Sequence, residues 1–117
     1  MKMRLFAAIA ALLIAGAASA QEKDPVMLEK AQKSIEAMSQ YVKMDDATKQ
    51  KTLDIMYTRV VAHSVLNKQK KSMPAEEWKT ENSKIYRTWV DDMRKALPAA
   101  DQRKGFDTWR NLPKDKK

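Results

Sequence analysis

The chain has 117 residues, no cysteine, and a formal net charge of +8 from 23 Lys and Arg against 15 Asp and Glu. At this length one domain is expected, and the lack of cysteine excludes disulfides and thiol chemistry, so helix packing alone has to stabilise the fold. The basic charge favours anionic partners, such as lipid headgroups or acidic stretches of other proteins.

Residues 1–20 have the three parts of a secretory signal peptide. Lys2 and Arg4 form a positively charged n-region, residues 5–15 are apolar, and residues 18–20 (Ala-Ser-Ala) form a cleavage site. The apolar run is short for a membrane span, although an uncleaved N-terminal anchor is the alternative. We therefore expect a periplasmic or secreted protein whose mature domain spans residues 21–117. Nucleic acid is not an expected partner there.

Two long helices are predicted in the first half of the mature domain. Residues 25–41 carry apolar side chains at alternating spacings of three and four, with Asp24 as cap and Pro25 in the first turn. The next helix begins at Asp45 or Asp46 and runs to Leu66.

The second half predicts a third long helix and a short one. The third begins after Pro74, spans about 22 residues by its apolar period, and stops at Leu97-Pro98. The short helix opens at Asp101-Gln102 and carries Phe106 and Trp109, while Gly105 is expected to weaken its middle. No run of alternating polarity with turn chemistry appears. The sequence thus predicts an all-α fold of three long amphipathic helices and a short C-terminal helix, elongated or hairpin-like, with a charged tail.

The central helix is apolar on two sides. Leu53 and Met56 begin the main apolar arc, whereas Ile55, Ala62 and Leu66 form a thinner stripe on roughly the opposite side. A second copy of the chain would cover this stripe in a homodimer. Alternatively, the first helix covers one side and the third helix the other.

Candidate catalytic and metal sites are lacking in the sequence. His63, the only histidine, has no carboxylate or second imidazole three or four residues away, so it is interpreted as a structural or boundary residue. Adjacent acid pairs such as Asp45-Asp46 are explained as helix caps or first-turn acids. We therefore expect no enzyme, no cofactor and no metal site.

A basic connector follows the central helix and is the first choice for a binding surface. Lys68, Lys70 and Lys71 would supply charge that attracts a partner, and Met73 and Trp78 beside them would supply apolar contact. Cations near a helix C-terminus also complement the helix dipole, so a structural role explains the lysines without any ligand.

Two helix starts resemble a known motif. Residues 44–50, Met-Asp-Asp-Ala-Thr-Lys-Gln, and residues 97–102, Leu-Pro-Ala-Ala-Asp-Gln, are similar to the paired LTxxQ-type repeats of the Spy/CpxP-like periplasmic proteins. In register with Met44 and Leu97, Thr48 and Asp101 stand where the motif has Gln. The resemblance implies a thin, bent, often dimeric helical protein whose concave face holds unfolded envelope proteins without ATP, or docks on a stress sensor.

Three functions compete on this basis. The first is a holdase for non-native envelope proteins, and the second is a dedicated partner-binding or regulatory module of an envelope sensor or complex. The third is a peripheral binder of anionic membrane or lipopolysaccharide. Removing Lys2 and Arg4 leaves 21 basic residues against 15 acidic ones in the mature chain, so each of these partners is expected to be anionic or amphipathic.

Overall fold

A computed structural model describes residues 23–116 of the chain, so the predicted signal peptide lies outside the described residues. Four α-helices and two single turns of 3₁₀-helix make up this part: α1 (Pro25–Met38), α2 (Asp46–Lys68), α3 (Ala75–Ala96), α4 (Ala100–Arg110), and the turns Lys70–Ser72 and Lys114–Lys116. No strand occurs between residues 23 and 116. The prediction of an all-α fold with three long helices and one short helix is confirmed.

Helix α1 begins where the sequence predicts and ends earlier. Oδ1 of Asp24 accepts hydrogen bonds from the N–H groups of Val26 (2.9 Å) and Met27 (3.1 Å), which caps the helix. At the other end, the N–H of Tyr41 bonds to the carbonyl of Met38 at 2.9 Å, three residues back. This tight turn ends the helix at Met38 instead of residue 41, and it directs Val42 into the core, where that side chain is 2% exposed.

Helix α2 lies between α1 and α3 and makes most of its contacts with these two neighbours. The N–H of Asp24 donates to the hydroxyl of Tyr57 (2.9 Å), which ties the start of α1 to the middle of α2. All four helices contribute to one buried apolar cluster: Ala31, Ile35, Met38, Val42, Met56, Trp89, Met93, Leu97, Phe106 and Trp109. Trp109, near the end of the short helix, is buried in this cluster.

Helix α4 crosses closely over the loop between α1 and α2. A Cβ atom on Gly105 would lie 2.1 Å from the carbonyl oxygen of Tyr41, so the close approach requires glycine. The side chain of Gln102 accepts from the N–H of Ala99 (3.0 Å) and donates to the carbonyl of Lys43 (2.7 Å). Gly105 therefore allows the packing of its helix and does not merely weaken it.

The four helices pack around a single core with principal extents of 43 × 31 × 24 Å. The hairpin-like shape expected from the sequence is not confirmed, because α4 folds back over the loop after α1 and closes the arrangement. No helix in the described part of the chain combines the length and the apolar character needed to cross a membrane.

Candidate functional site: a groove and a cationic cavity

A groove runs between α1 and α2 on one side of the molecule. Its volume is about 820 Å³, and α1 contributes Met27, Lys30 and Ser34, which follow one another at helical spacing. Helix α2 contributes Met56, Arg59, Val60, His63, Ser64, Asn67 and Lys68. Asp24 and Val26 close the end of the groove near the start of α1. We call this surface the α1–α2 groove.

The α1–α2 groove is both basic and apolar. Lys30, Arg59 and Lys68 outnumber its single acid, Asp24. Val26 is 63% exposed, and it and Tyr41 are the exposed large apolar side chains among the described residues. Strongly exposed large apolar side chains are thus scarce among residues 23–116, and one of the two lies in the groove.

A smaller cavity adjoins the groove and shares Ser34, Met56 and Arg59 with it. Its volume is about 270 Å³, and residues from all four helices line it: Lys33, Ser34, Ala37, Met56, Arg59, Tyr86, Trp89, Trp109 and Arg110. None of these lining residues is acidic. We call this space the Arg59 cavity.

Arg59 is held in place by aromatic rings. Its guanidinium carbon lies 3.9 Å from the centre of the Trp89 ring and 5.4 Å from that of Tyr86, which are cation–π distances. Its Nε donates a long hydrogen bond of 3.4 Å to Nε2 of His63. Burial lowers the pKa of Arg59 from its usual value, yet a guanidinium in a protein stays protonated at neutral pH.

Arg59 has no carboxylate partner among the described residues, whereas the other two cations of the cavity do. Nε of Arg110 donates to Oδ1 of Asp107 at 3.0 Å, and its Nη1 donates to the hydroxyl of Tyr86 at 3.1 Å. Lys33 pairs with Glu29 at 3.2 Å on the exposed face of α1. The cavity therefore holds one half-buried positive charge that no acid of residues 23–116 balances.

His63 lines the groove and is half-buried, in keeping with the boundary position that the sequence predicts. Burial first, and the charge of Arg59 second, lower the pKa of His63 below its usual value. The imidazole is therefore neutral at pH 7 and accepts the hydrogen bond from Arg59. Among the described residues no group of three or more acidic or histidine side chains is placed to hold a metal ion.

The indole N–H groups of Trp78, Trp89 and Trp109 are shielded from solvent and donate to no acceptor in the described chain. A buried donor without a partner costs about 1–3 kcal/mol. Two of these residues, Trp89 and Trp109, line the Arg59 cavity.

The residues predicted to bind a client lie between the end of α2 and the first turn of α3, and the structure brings two of them together. Nζ of Lys70 lies 4.7 Å from the centre of the Trp78 ring, so these two meet beside the turn Lys70–Ser72. Lys68 instead lines the α1–α2 groove, Lys71 is exposed, and Met73 is half-buried.

The predicted dimer stripe is only partly accessible. Leu66 is 1% exposed and is buried within the single chain, so it cannot form part of a surface for a second copy. Ile55 and Ala62 are half-buried, and Ile55 packs against the core cluster. The homodimer stays a prediction that depends on these two residues.

The sequence alone does not point to Arg59, because residues from four helices cannot be assembled into a cavity from one sequence. One signal was available: Arg59 lies one turn before His63 and beside Val60, at the edge of the apolar arc of α2. An arginine in that position extends along the core boundary and can stack on aromatic residues of a neighbouring helix.

No protein-family model matches the chain, and neither a curated protein nor a solved structure matches it. The resemblance to the Spy/CpxP-like proteins thus stays a prediction.

Proposed function

We propose that this protein is an exported, non-catalytic binding module that holds a segment of another envelope polypeptide in the α1–α2 groove. The observation that carries the proposal is the joint presence in that groove of an exposed apolar residue, Val26, and three basic residues. Charge of this kind steers an anionic or amphipathic segment to the surface, and apolar contact retains it.

The restricted apolar surface favours a dedicated partner over many clients. A protein that captures diverse unfolded chains needs a broad, adaptable apolar face, whereas the large apolar side chains exposed among residues 23–116 are Val26 and Tyr41. A groove with charges at defined positions selects a segment of matching shape and charge. We therefore place the dedicated partner-binding module ahead of the general holdase.

The holdase remains the second proposal, supported by the mixed basic and apolar lining of the groove, which includes the flexible side chain of Met27. The two proposals differ in client range. Light scattering would follow the aggregation of several unrelated reduced proteins with and without stoichiometric protein at low salt. Suppression for all of them supports the holdase, and suppression for none removes it. Flotation with anionic liposomes tests the third function, membrane binding, in the same way.

The groove is tested with paired substitutions at the two exposed apolar residues. A fluorescently labelled, reduced and alkylated polypeptide serves as probe, and anisotropy gives its dissociation constant. Val26→Ser should weaken binding about fivefold, since losing a partly buried apolar side chain costs about 1 kcal/mol. Tyr41→Ser is the matched control outside the groove and should leave binding unchanged.

A second pair of substitutions tests whether the positive charge of the groove contributes to binding. Lys30 lines the groove and Lys104 is exposed on α4 away from it. Lys30→Gln should slow association and reduce its dependence on salt, while Lys104→Gln removes the same charge with little effect on the rate. Equal effects within both pairs would show that the α1–α2 groove is not the binding surface.

A further inference from the structure

We propose that the Arg59 cavity receives the C-terminal carboxylate of the polypeptide held in the α1–α2 groove, together with its last, apolar side chain. This inference rests on the proposed function and specifies which part of the partner is bound. The occupant is a polypeptide that ends in a free carboxylate.

Charge is the first argument for a carboxylate. The lining of the Arg59 cavity has three cations and no acid, and Arg59 has no carboxylate partner among the described residues. A guanidinium presents a planar fork of N–H donors that matches the two oxygens of a carboxylate. With Nε directed to His63, the terminal Nη groups of Arg59 remain to donate to a ligand.

Preorganisation is the second argument. The face of Trp89 supports the Arg59 guanidinium at 3.9 Å, and His63 restrains its Nε. Hydrogen bonds to Asp107 and Tyr86 restrain Arg110, the other arginine that lines the cavity. Two arginines that are fixed before binding lose little rotamer freedom when the ligand arrives.

The walls of the cavity fit an apolar terminal side chain. Ala37, Met56, Trp89 and Trp109 supply apolar surface beside the arginines. A volume of about 270 Å³ corresponds to roughly nine water molecules at about 30 Å³ each, which leaves room for one side chain and a carboxylate.

The position of the cavity beside the groove indicates in which direction the bound polypeptide lies. The groove carries charges of both signs, with Asp24 near the start of α1, whereas every charged residue lining the cavity is basic. A segment lying along the groove would thus reach the unbalanced charge of Arg59 where the groove adjoins the cavity, beside Ser34 and Met56. The negatively charged end of a polypeptide is its C-terminus.

Two peptides that differ only at the terminus test the inference on the unmodified protein. The probe is acetyl-Ser-Ala-Ser-Val-Ala-Ser-Leu-Phe with either a free carboxylate or a C-terminal amide, and calorimetric titration gives each dissociation constant. The free acid should bind at least about tenfold more tightly, as expected for a hydrogen-bonded charge pair. Equal affinity of acid and amide, or binding of neither, overturns the inference.

Arginine substitutions then locate the effect. Arg59→Gln should abolish the difference between acid and amide, and Arg59→Lys, which keeps the charge but not the fork, should retain part of it. Arg87 is exposed on α3 and does not line the cavity, so Arg87→Gln should keep the full difference. Circular dichroism confirms that each variant is folded. A full difference in Arg59→Gln would place the carboxylate elsewhere and overturn the inference.

The result of the acid and amide comparison can be distinguished from the result that tests the proposed function. The proposed function is judged with the labelled polypeptide and the Val26→Ser and Tyr41→Ser pair. If those results support the groove while acid and amide bind equally, the groove stands and only the terminal carboxylate is rejected.

Discussion

Replacing Gly105 by alanine has two opposing effects on the free energy of unfolding, one from helix propensity and one from packing. The effect of packing should be the larger. Alanine is favoured over glycine inside a helix by about 1 kcal/mol, so helix propensity alone predicts that Gly105→Ala stabilises the protein. The new Cβ would, however, lie 2.1 Å from the carbonyl oxygen of Tyr41 and 3.0 Å from its carbonyl carbon. Both contacts are with backbone, which cannot rotate away as a side chain can.

The size of the effect follows from the displacement. Ordinary contact begins at 3.4 Å, so α4 and the loop at Tyr41 must separate by about 1.3 Å, the difference from 2.1 Å. That movement strains the hydrogen bond from Gln102 to Lys43, worth about 1 kcal/mol, and loosens the packing of Phe106. Overpacking typically costs about 1–3 kcal/mol, so after the gain in propensity we expect a net loss of about 2 kcal/mol.

Thermal and urea unfolding followed by circular dichroism measure this loss. For a domain of this size, about 2 kcal/mol should lower Tm by roughly 8–16 °C. Thr108→Ala is the control, because Thr108 is exposed on the same helix and its replacement improves propensity without new contacts. If Gly105→Ala were as stable as the unsubstituted protein, the close approach of α4 to the loop would be refuted.

Three further predictions concern titration and processing. Burial first, and then the charge of Arg59, lower the pKa of His63, so the unfolded chain binds more protons below about pH 6.5, and the free energy of unfolding should fall between pH 7 and 5. His63→Gln should flatten that part of the pH dependence in urea unfolding; an unchanged slope would contradict the assignment. The hydrogen bond from Arg94 is the main cause that lowers the pKa of Asp107, so its ionised form stabilises the fold at neutral pH and the contribution disappears as the pH falls through the folded pKa. Asp107→Asn should therefore lower Tm at pH 7, and the difference from the unsubstituted protein should shrink as the pH falls below the ordinary pKa of an aspartate, whereas a constant difference would count against the ion pair. Intact-mass measurement of envelope material should show a chain that begins at Gln21; a product retaining residues 1–20 would argue for an anchor.

Helix positions could be predicted because they depend on local pattern. Pro25 in the first turn and the apolar spacing predict the start of α1. Pro74 and Leu97-Pro98 predict the two ends of α3, which the structure places at Ala75 and Ala96. The sequence predicts that α1 continues to residue 41, whereas the helix ends three residues earlier, at Met38. The reason is that a turn that bends toward the core carries the same apolar spacing as a continuing helix.

The cavity could not be predicted because its residues are distant in sequence. Arg59 and Trp89 are 30 positions apart, and their stacking depends on how α2 packs against α3. Gly105 shows the same limit: its sequence context suggests a weak helix, and only the position of Tyr41 reveals why the missing Cβ matters. Local rules govern the helices, whereas tertiary contact decides which side chains meet.

The way α4 closes the fold also has a kinetic consequence. Helices α1, α2 and α3 contact their neighbours in sequence, and local contacts of this kind form quickly. Helix α4 instead reaches back 59 residues from Gln102 to Lys43, which requires closing a long loop. We expect α4 to dock last during folding and to detach first, which hydrogen exchange would record as faster exchange of its amides than of those in α2. Since α4 carries Trp109 and Arg110, each detachment would open one wall of the Arg59 cavity and leave the α1–α2 groove in place.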